Sequence, residues 1–267
     1  MTPDPDAYFV GLGQGRYRPT VHTSGAWSEA EQHISPMVGL CVHEIETRLP
    51  SQLLVSRIGV DIFGTVPVSD FEIAVSVVRP GRTVELAEAA VTHSGRVVVV
   101  ARVWRLAAGD SAAVAGGWDA PVGELPPWDM TSVWPGGYIA SLDVRRSPDA
   151  VPGRATAWVT SPLALVLDQE SSTLARFAML VDTANGICVR QDPRRWMFPN
   201  LDLTIHLHRQ PVGDRVGLET TVTFGATGLG LTHSVLHDDA GPLGRASQAL
   251  TVRPLPGADH DHAPEGR

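Results

Sequence analysis

The chain has 267 residues, 43% of them hydrophobic and 19% charged, and a formal net charge of −8. That length buries a sizeable core as one large domain or two small ones. The acidic balance argues against a nucleic-acid partner, whose phosphates need a concentrated basic surface. All 21 basic residues are arginine, which excludes a Schiff-base enzyme and a P-loop nucleotide binder, since each needs a lysine.

In chain order, the opening MTPDPDAYFV is acidic and proline-containing, with no basic region ahead of an apolar stretch, so it does not read as a signal peptide. A helix is predicted over residues 36–49. Ile34, Met37, Val38, Cys41, Val42, Ile45 and Leu49 share one face, Ser35 serves as N-cap, Pro36 takes the first position and Pro50 closes the segment. Residues 59–63, 71–78, 84–93 and 97–106 are rich in β-branched residues and separated by turn signals, and they predict an antiparallel meander. The longest strongly apolar run, residues 97–101, is far too short to span a bilayer, and a cytoplasmic location is expected. Residues 107–136 read as an irregular connector whose Trp118, Trp128 and Trp134 are expected to pack against the body.

The second half repeats this layout. Residues 138–144 and 155–160 read as short strands, and a helix capped by Ser171 or Ser172 runs to about Cys188. Strands are predicted at 201–208, 216–224, 231–237 and 245–252, and the tail from Pro254 is expected to be disordered. Cys41 and Cys188, each among apolar residues at helical spacing, read as buried, unreactive thiols. The expected fold class is α+β, with two helix-plus-antiparallel-sheet repeats at residues 1–115 and 137–253, a linker at 116–136 and a tail at 254–267.

Three polar residues stand out against this pattern. Asp182 lies at the margin of the second helix's apolar stripe, either a surface residue or a partly buried base. Gln248 shares a strand face with Ala246, Leu250 and Val252, where an unsatisfied buried amide costs about 1–3 kcal/mol, so it serves either structural pairing or a site. Aligning Gly95-Arg96 with Gly244-Arg245 sets Val99 at the matching first-half position. Asn200 leads into LDLTIHLHR, whose Asp202, His206 and His208 alternate to one side. A solvent-facing surface is preferred there over a metal site, and no metal or cofactor is expected. Gly225-Ala-Thr-Gly-Leu-Gly230 lies between strands instead of opening a helix, so it is no dinucleotide loop, and no Gly-x-Ser-x-Gly elbow is present.

The phrases FAMLVDTANG (177–186), WMFPNLDLTIHLHR (196–209) and GRASQALTVRP (244–254), with residues 25–46 and 77–106 of the first half, resemble the acyl-CoA thioesterase II type. These are double-hotdog members of the thioesterase superfamily. The resemblance covers about residues 8–253 and implies a double hotdog with acyl-CoA as its small-molecule partner. It also implies that a helix Asp, a hydroxyl where the following strand begins and a last-strand Gln orient a hydrolytic water. Those positions fall on Asp182, Asn200 and Gln248, with Asn200 departing from the family's hydroxyl. His33 resembles the His of a His-Gly-Gly phrase, but the phrase here reads His33-Ile34-Ser35, so a single site in the C-terminal half is expected. Two other readings stay open: a non-catalytic acyl-thioester binding protein, and a hotdog hydratase or dehydratase. The latter wants an Asp–His pair, and no His lies near Asp182 in sequence. A homo-oligomer is compatible with all three readings.

Overall fold

In the computed structural model, which describes residues 5–255, the β-branched runs pair into one thirteen-stranded sheet that wraps two helices. The chain opens with a hairpin, β1 (Ala7–Gly13) and β2 (Arg16–Pro19), before the long helix α1 (Ile34–Arg48). The meander is β3 (Leu54–Ile62), β4 (Phe71–Arg79), β5 (Val84–His93) and β6 (Arg96–Leu106). The second half runs α2 (Gly137–Ala140), β7 (Asp143–Arg146), β8 (Arg154–Thr160), β9 (Ala164–Val166), α3 (Thr173–Val181) and α4 (Ala184–Ile187). It continues through β10 (Trp196–Met197), β11 (Asp202–Leu207), β12 (Val216–Phe224), β13 (Leu229–Asp238), β14 (Gly241–Thr251) and β15 (Arg253–Pro254).

The strand order is β7-β8-β12-β13-β14-β11-β3-β6-β5-β4-β2-β1-β9. Read outward from the antiparallel β3–β11 junction, each half lays down its strands in the same order, so the halves are related by an approximate two-fold through that junction. The concave face carries apolar residues from both halves, and α1 packs on α3 at its centre. At that crossing Gly39 brings the helix backbones together, since a Cβ there would lie 2.5 Å from Met179 Cβ and 2.7 Å from the Ala175 carbonyl oxygen. This is the α+β double hotdog of the sequence reading.

Several local expectations are corrected. The cap of α1 is His33, whose Nδ1 accepts from the Ser35 N–H, so the helix starts two residues before Pro36. Pro36 is tolerated because first-turn N–H groups lack intrahelical partners in any case. Residues 138–144 are not a single strand, for α2 precedes β7. The second helix is capped by Ser172, whose Oγ accepts from Ala175 N–H, and it breaks at Asp182 before α4. The hairpin β1–β2 has no counterpart among the predicted strands. Trp134 is buried and Trp128 stacks under Arg146 at 4.5 Å, but Trp118 is fully exposed. Pro254 pairs with Trp196, and the predicted tail from residue 256 onward lies outside the described residues.

The last strand starts at Gly241, not at the Gly244-Arg245 pair, which lies inside β14. Both terminal hairpins bulge next to the turn, pairing Val91 with Val99 then Thr92 with Val97, and Leu236 with Gly244 then His237 with Pro242. Counted from those bulges, Val99 matches Gly244, and the first-half counterpart of Gln248 is Val103. Val103 is also apolar and buried, so only the second half carries an amide at this position.

Candidate active site

Asp182 ends α3 as its C-cap, where the chain leaves one helix for the next and the side chain turns from the apolar stripe toward the sheet. It is 5% exposed. Its Oδ1 accepts two amide hydrogen bonds, from Asn200 Nδ2 at 2.7 Å and Gln248 Nε2 at 2.8 Å. Asn200 is fixed where β11 begins, its Nδ2 also donating to the Asp202 carbonyl at 3.0 Å. Gln248 points inward from β14 and is buried. The structure thus brings the three sequence-selected side chains together on one carboxylate oxygen and leaves Oδ2 clear of both amides.

Burial pushes the Asp182 carboxyl up to about 7. The amides of Gln248 and Asn200 oppose the shift, and the nearby Asp202 carboxylate adds to it. The Asp202 Oδ1 atom accepts from the Ala249 backbone N–H at 2.6 Å, which ties this member of the polar row to β14.

His33, set aside in the sequence because its phrase departs from His-Gly-Gly, stands opposite. His33 Nδ1 lies 3.8 Å from Asp182 Oδ2, beyond hydrogen-bond length. Its ring stacks on Tyr138 at 4.3 Å between centroids, and desolvation pulls its pKa down to about 3. The imidazole is therefore neutral, with its Nδ1 lone pair held by Ser35 N–H and its proton on Nε2. Nothing in the spacing of His33 announces this contact, which depends on the two halves closing on each other.

The carboxylate opens on a cavity of about 340 Å³ at the seam between the halves. The first half supplies residues 25–28, 31–34 and 62–66, and the second supplies Ile139, Asn185, Met197, Pro199 and Leu201 along with the polar trio's Asp182 and Asn200. Met130 and Trp134 also line it, and Trp134 is locked in an edge-to-face cluster with Trp27 and Phe198. The cavity beside the C-terminal trio therefore takes one of its walls from the first half.

A family model described as the acyl-CoA thioesterase N-terminal domain matches residues 23–106, and its C-terminal-domain companion matches residues 122–252. The chain belongs to the acyl-CoA thioesterase family. Among solved structures, an acyl-CoA thioesterase II, TesB2, from Mycobacterium marinum is 14% identical with a TM-score of 0.67, the match covering 95% of this chain and 98% of that one. A hot dog-fold protein of unknown function from Alicyclobacillus acidocaldarius is 13% identical with a TM-score of 0.72, over 93% and 97% of the two chains. The dehydratase domain from the CurF module of curacin polyketide synthase is 10% identical with a TM-score of 0.53, over 93% and 98%. At these identities the likeness is one of fold. No curated protein matches the chain. Within this thioesterase family, Asn200 stands where the resemblance implies a hydroxyl. Asn200→Ala removes one of the two amide hydrogen bonds on the Asp182 carboxylate, and a pH titration of that variant is expected to show the carboxyl raised further.

Among the described residues no helix is long and apolar enough to cross a membrane. Cys41 and Cys188 are buried, and burial pushes both thiols up to about 12, which makes them poor nucleophiles at neutral pH.

Proposed function

We propose that this chain hydrolyses an acyl-CoA thioester to the free acid and CoA, with Asp182 as general base. The observation that carries the reading is a carboxylate raised to about 7, gripped on one oxygen by two amides, at the wall of a largely apolar cavity. A base with that pKa is half ionised near neutral pH, where it can both take and return a proton. Oδ2 would take a proton from a water as its oxygen attacks the thioester carbon. The tetrahedral intermediate would then break its C–S bond, and Asp182 would return the proton to the departing CoA sulfur. Thioester carbonyls are activated enough to need no covalent intermediate. The Ile34 backbone N–H, in the first turn of α1 where the helix opens on the cavity, would steady the oxyanion, the neighbouring Ser35 N–H being held by His33. The acyl chain would lie among Trp27, Met130, Trp134 and Ile139, and a cavity of this size suits short or medium chains.

One observation favours a second reading. His33 and Asp182 form an Asp–His pair in space, which a hotdog dehydratase acting on 3-hydroxyacyl thioesters would use. Against it, the His33 Nδ1 lone pair that faces Asp182 already holds the Ser35 N–H. Both readings are tested by an acyl-CoA panel of increasing chain length, including 3-hydroxyacyl-CoA, with detection of free thiol and of enoyl absorbance. Thiol release that disappears in Asp182→Ala is expected. Enoyl formation without thiol release establishes the dehydratase reading, and binding without either product establishes a non-catalytic binding protein.

A further inference from the structure

Gln248 uses only one end of its amide on Asp182. Its Oε1 is buried and has no hydrogen-bond partner among the described residues. Directly across the ladder, Thr232 on β13 pairs with Gln248 on β14, and its Oγ1 is likewise buried and unpartnered. Each residue is about 1% exposed, so neither atom is open to bulk solvent. Side chains directly opposite on an antiparallel pair have Cβ atoms about 5 Å apart, within reach of each other or of one shared water. A lone hydroxyl donor and a lone amide acceptor left buried side by side would each carry a desolvation cost that one hydrogen bond relieves.

The two-fold relation supplies an independent observation. The first-half counterparts of Gln248 and Thr232 are Val103 and Ala87, which pair across β6 and β5 and are both buried. The hydroxyl therefore accompanies the amide, and both are absent from the half that lacks the carboxylate site.

We propose that Thr232 is a positioning residue for the hydrolytic site. Its hydroxyl donates to Gln248 Oε1, directly or through one buried water, and so fixes which end of the amide faces Asp182. The inference rests on the hydrolase reading given above. A glutamine amide is nearly symmetric in shape, and a flip would set Oε1 against the carboxylate and remove one of its two donors. With that donor gone, Asp182 would keep only Asn200 against desolvation. The other groups facing it are the neutral His33 ring, the Tyr138 phenol and the Asp202 carboxylate.

The test is Thr232→Val in the full chain, which exchanges the hydroxyl for a methyl of similar size. A fall in kcat of about ten-fold is expected, with KM changed by less than about two-fold and the acid limb of the kcat profile moved to higher pH. Thr232→Ser should restore all three. Thr232→Ala, which adds no volume, must behave like the valine variant and guards against a packing artefact. The Gln248 side-chain amide resonances, assigned by their loss in Gln248→Glu, should lose protection from solvent exchange in Thr232→Val. Unchanged kcat, pH profile and amide exchange in the valine and alanine variants would overturn the proposal, as would failure of serine to rescue. If the wild-type chain releases no CoA at all, the hydrolase reading fails on its own, and the amide-exchange measurement still decides what Thr232 does.

Discussion

Asp182→Asn is expected to lower thioester turnover at pH 8 by at least about 100-fold while making the folded protein more stable at the same pH. The asparagine Oδ1 can still accept from Asn200 and Gln248, so the pocket keeps its shape and loses only the base. The stability gain follows from linkage. The carboxyl ionises near 3.8 when solvated and near 7 in the fold, with burial as the main cause. Between those values the unfolded chain has released the proton and the folded chain retains it, so stability falls as pH rises from about 4 to about 7 and is level above. The wild type thus carries a cost at pH 8 that is absent at pH 4, on the order of 3–5 kcal/mol at 1.36 kcal/mol per unit. Urea denaturation of both proteins at pH 4 and pH 8 checks this: the mutant's advantage should be large at pH 8 and vanish at pH 4. Equal midpoints at both pH values would mean that the carboxylate is not desolvated as described. In wild-type kinetics the same group predicts kcat/KM rising through about pH 7 to a plateau, since the base works ionised.

That a carboxylate so expensive to bury is held in place was only half legible in the sequence. Periodicity located Asp182 at the margin of an apolar stripe, and strand alternation turned Gln248 inward among Ala246 and Leu250, because both signals are local. The helix-plus-meander repeat was legible for the same reason. The meeting of Asp182, Asn200 and Gln248 was legible only through the family resemblance, and the rest of what long-range closure sets escaped. His33 reaches Asp182 only because α1 and α3 cross, and the cavity wall from residues 62–66 forms only because β3 pairs with β11. The hairpin β1–β2 escaped as well, since Gly11, Gly13 and Gly15 dilute its alternation and its first strand takes a partner, β9, from the second half. The Gly-Arg alignment failed because a repeated dipeptide carries no register. The bulges at Val98 and Leu243 do carry it, and they moved the counterpart of Gln248 from Val99 to Val103.

The α1–α3 crossing that makes the seam should also tolerate added volume poorly. Gly39→Ala gives a sharp case because two effects of known sign compete. In a helix interior the change from glycine to alanine stabilises by about 1 kcal/mol through backbone entropy. Against it, the new methyl would lie 2.5 Å from Met179 Cβ and 2.7 Å from the Ala175 carbonyl oxygen. The carbonyl is backbone and the Cβ is fixed to it, so neither can swing aside, and α3 must shift as a unit. Overpacking of this kind costs about 1–3 kcal/mol and occasionally more; with contacts this short against backbone the packing term wins, and a net loss of about 1 kcal/mol in urea unfolding is expected. Gly109, where an added methyl would meet nothing within 4 Å, is the control, and its alanine variant should stay within about 0.5 kcal/mol of wild type. The functional consequence should exceed the loss of stability. Met179 lies three positions before Asp182 on the same helix, and a small displacement there moves the carboxylate relative to Asn200 and Gln248, which are anchored on the sheet. Gly39→Ala should therefore lower kcat under conditions where the protein remains fully folded. A variant as stable and as active as wild type would show that the helices have room to separate, and that the site does not depend on their close approach.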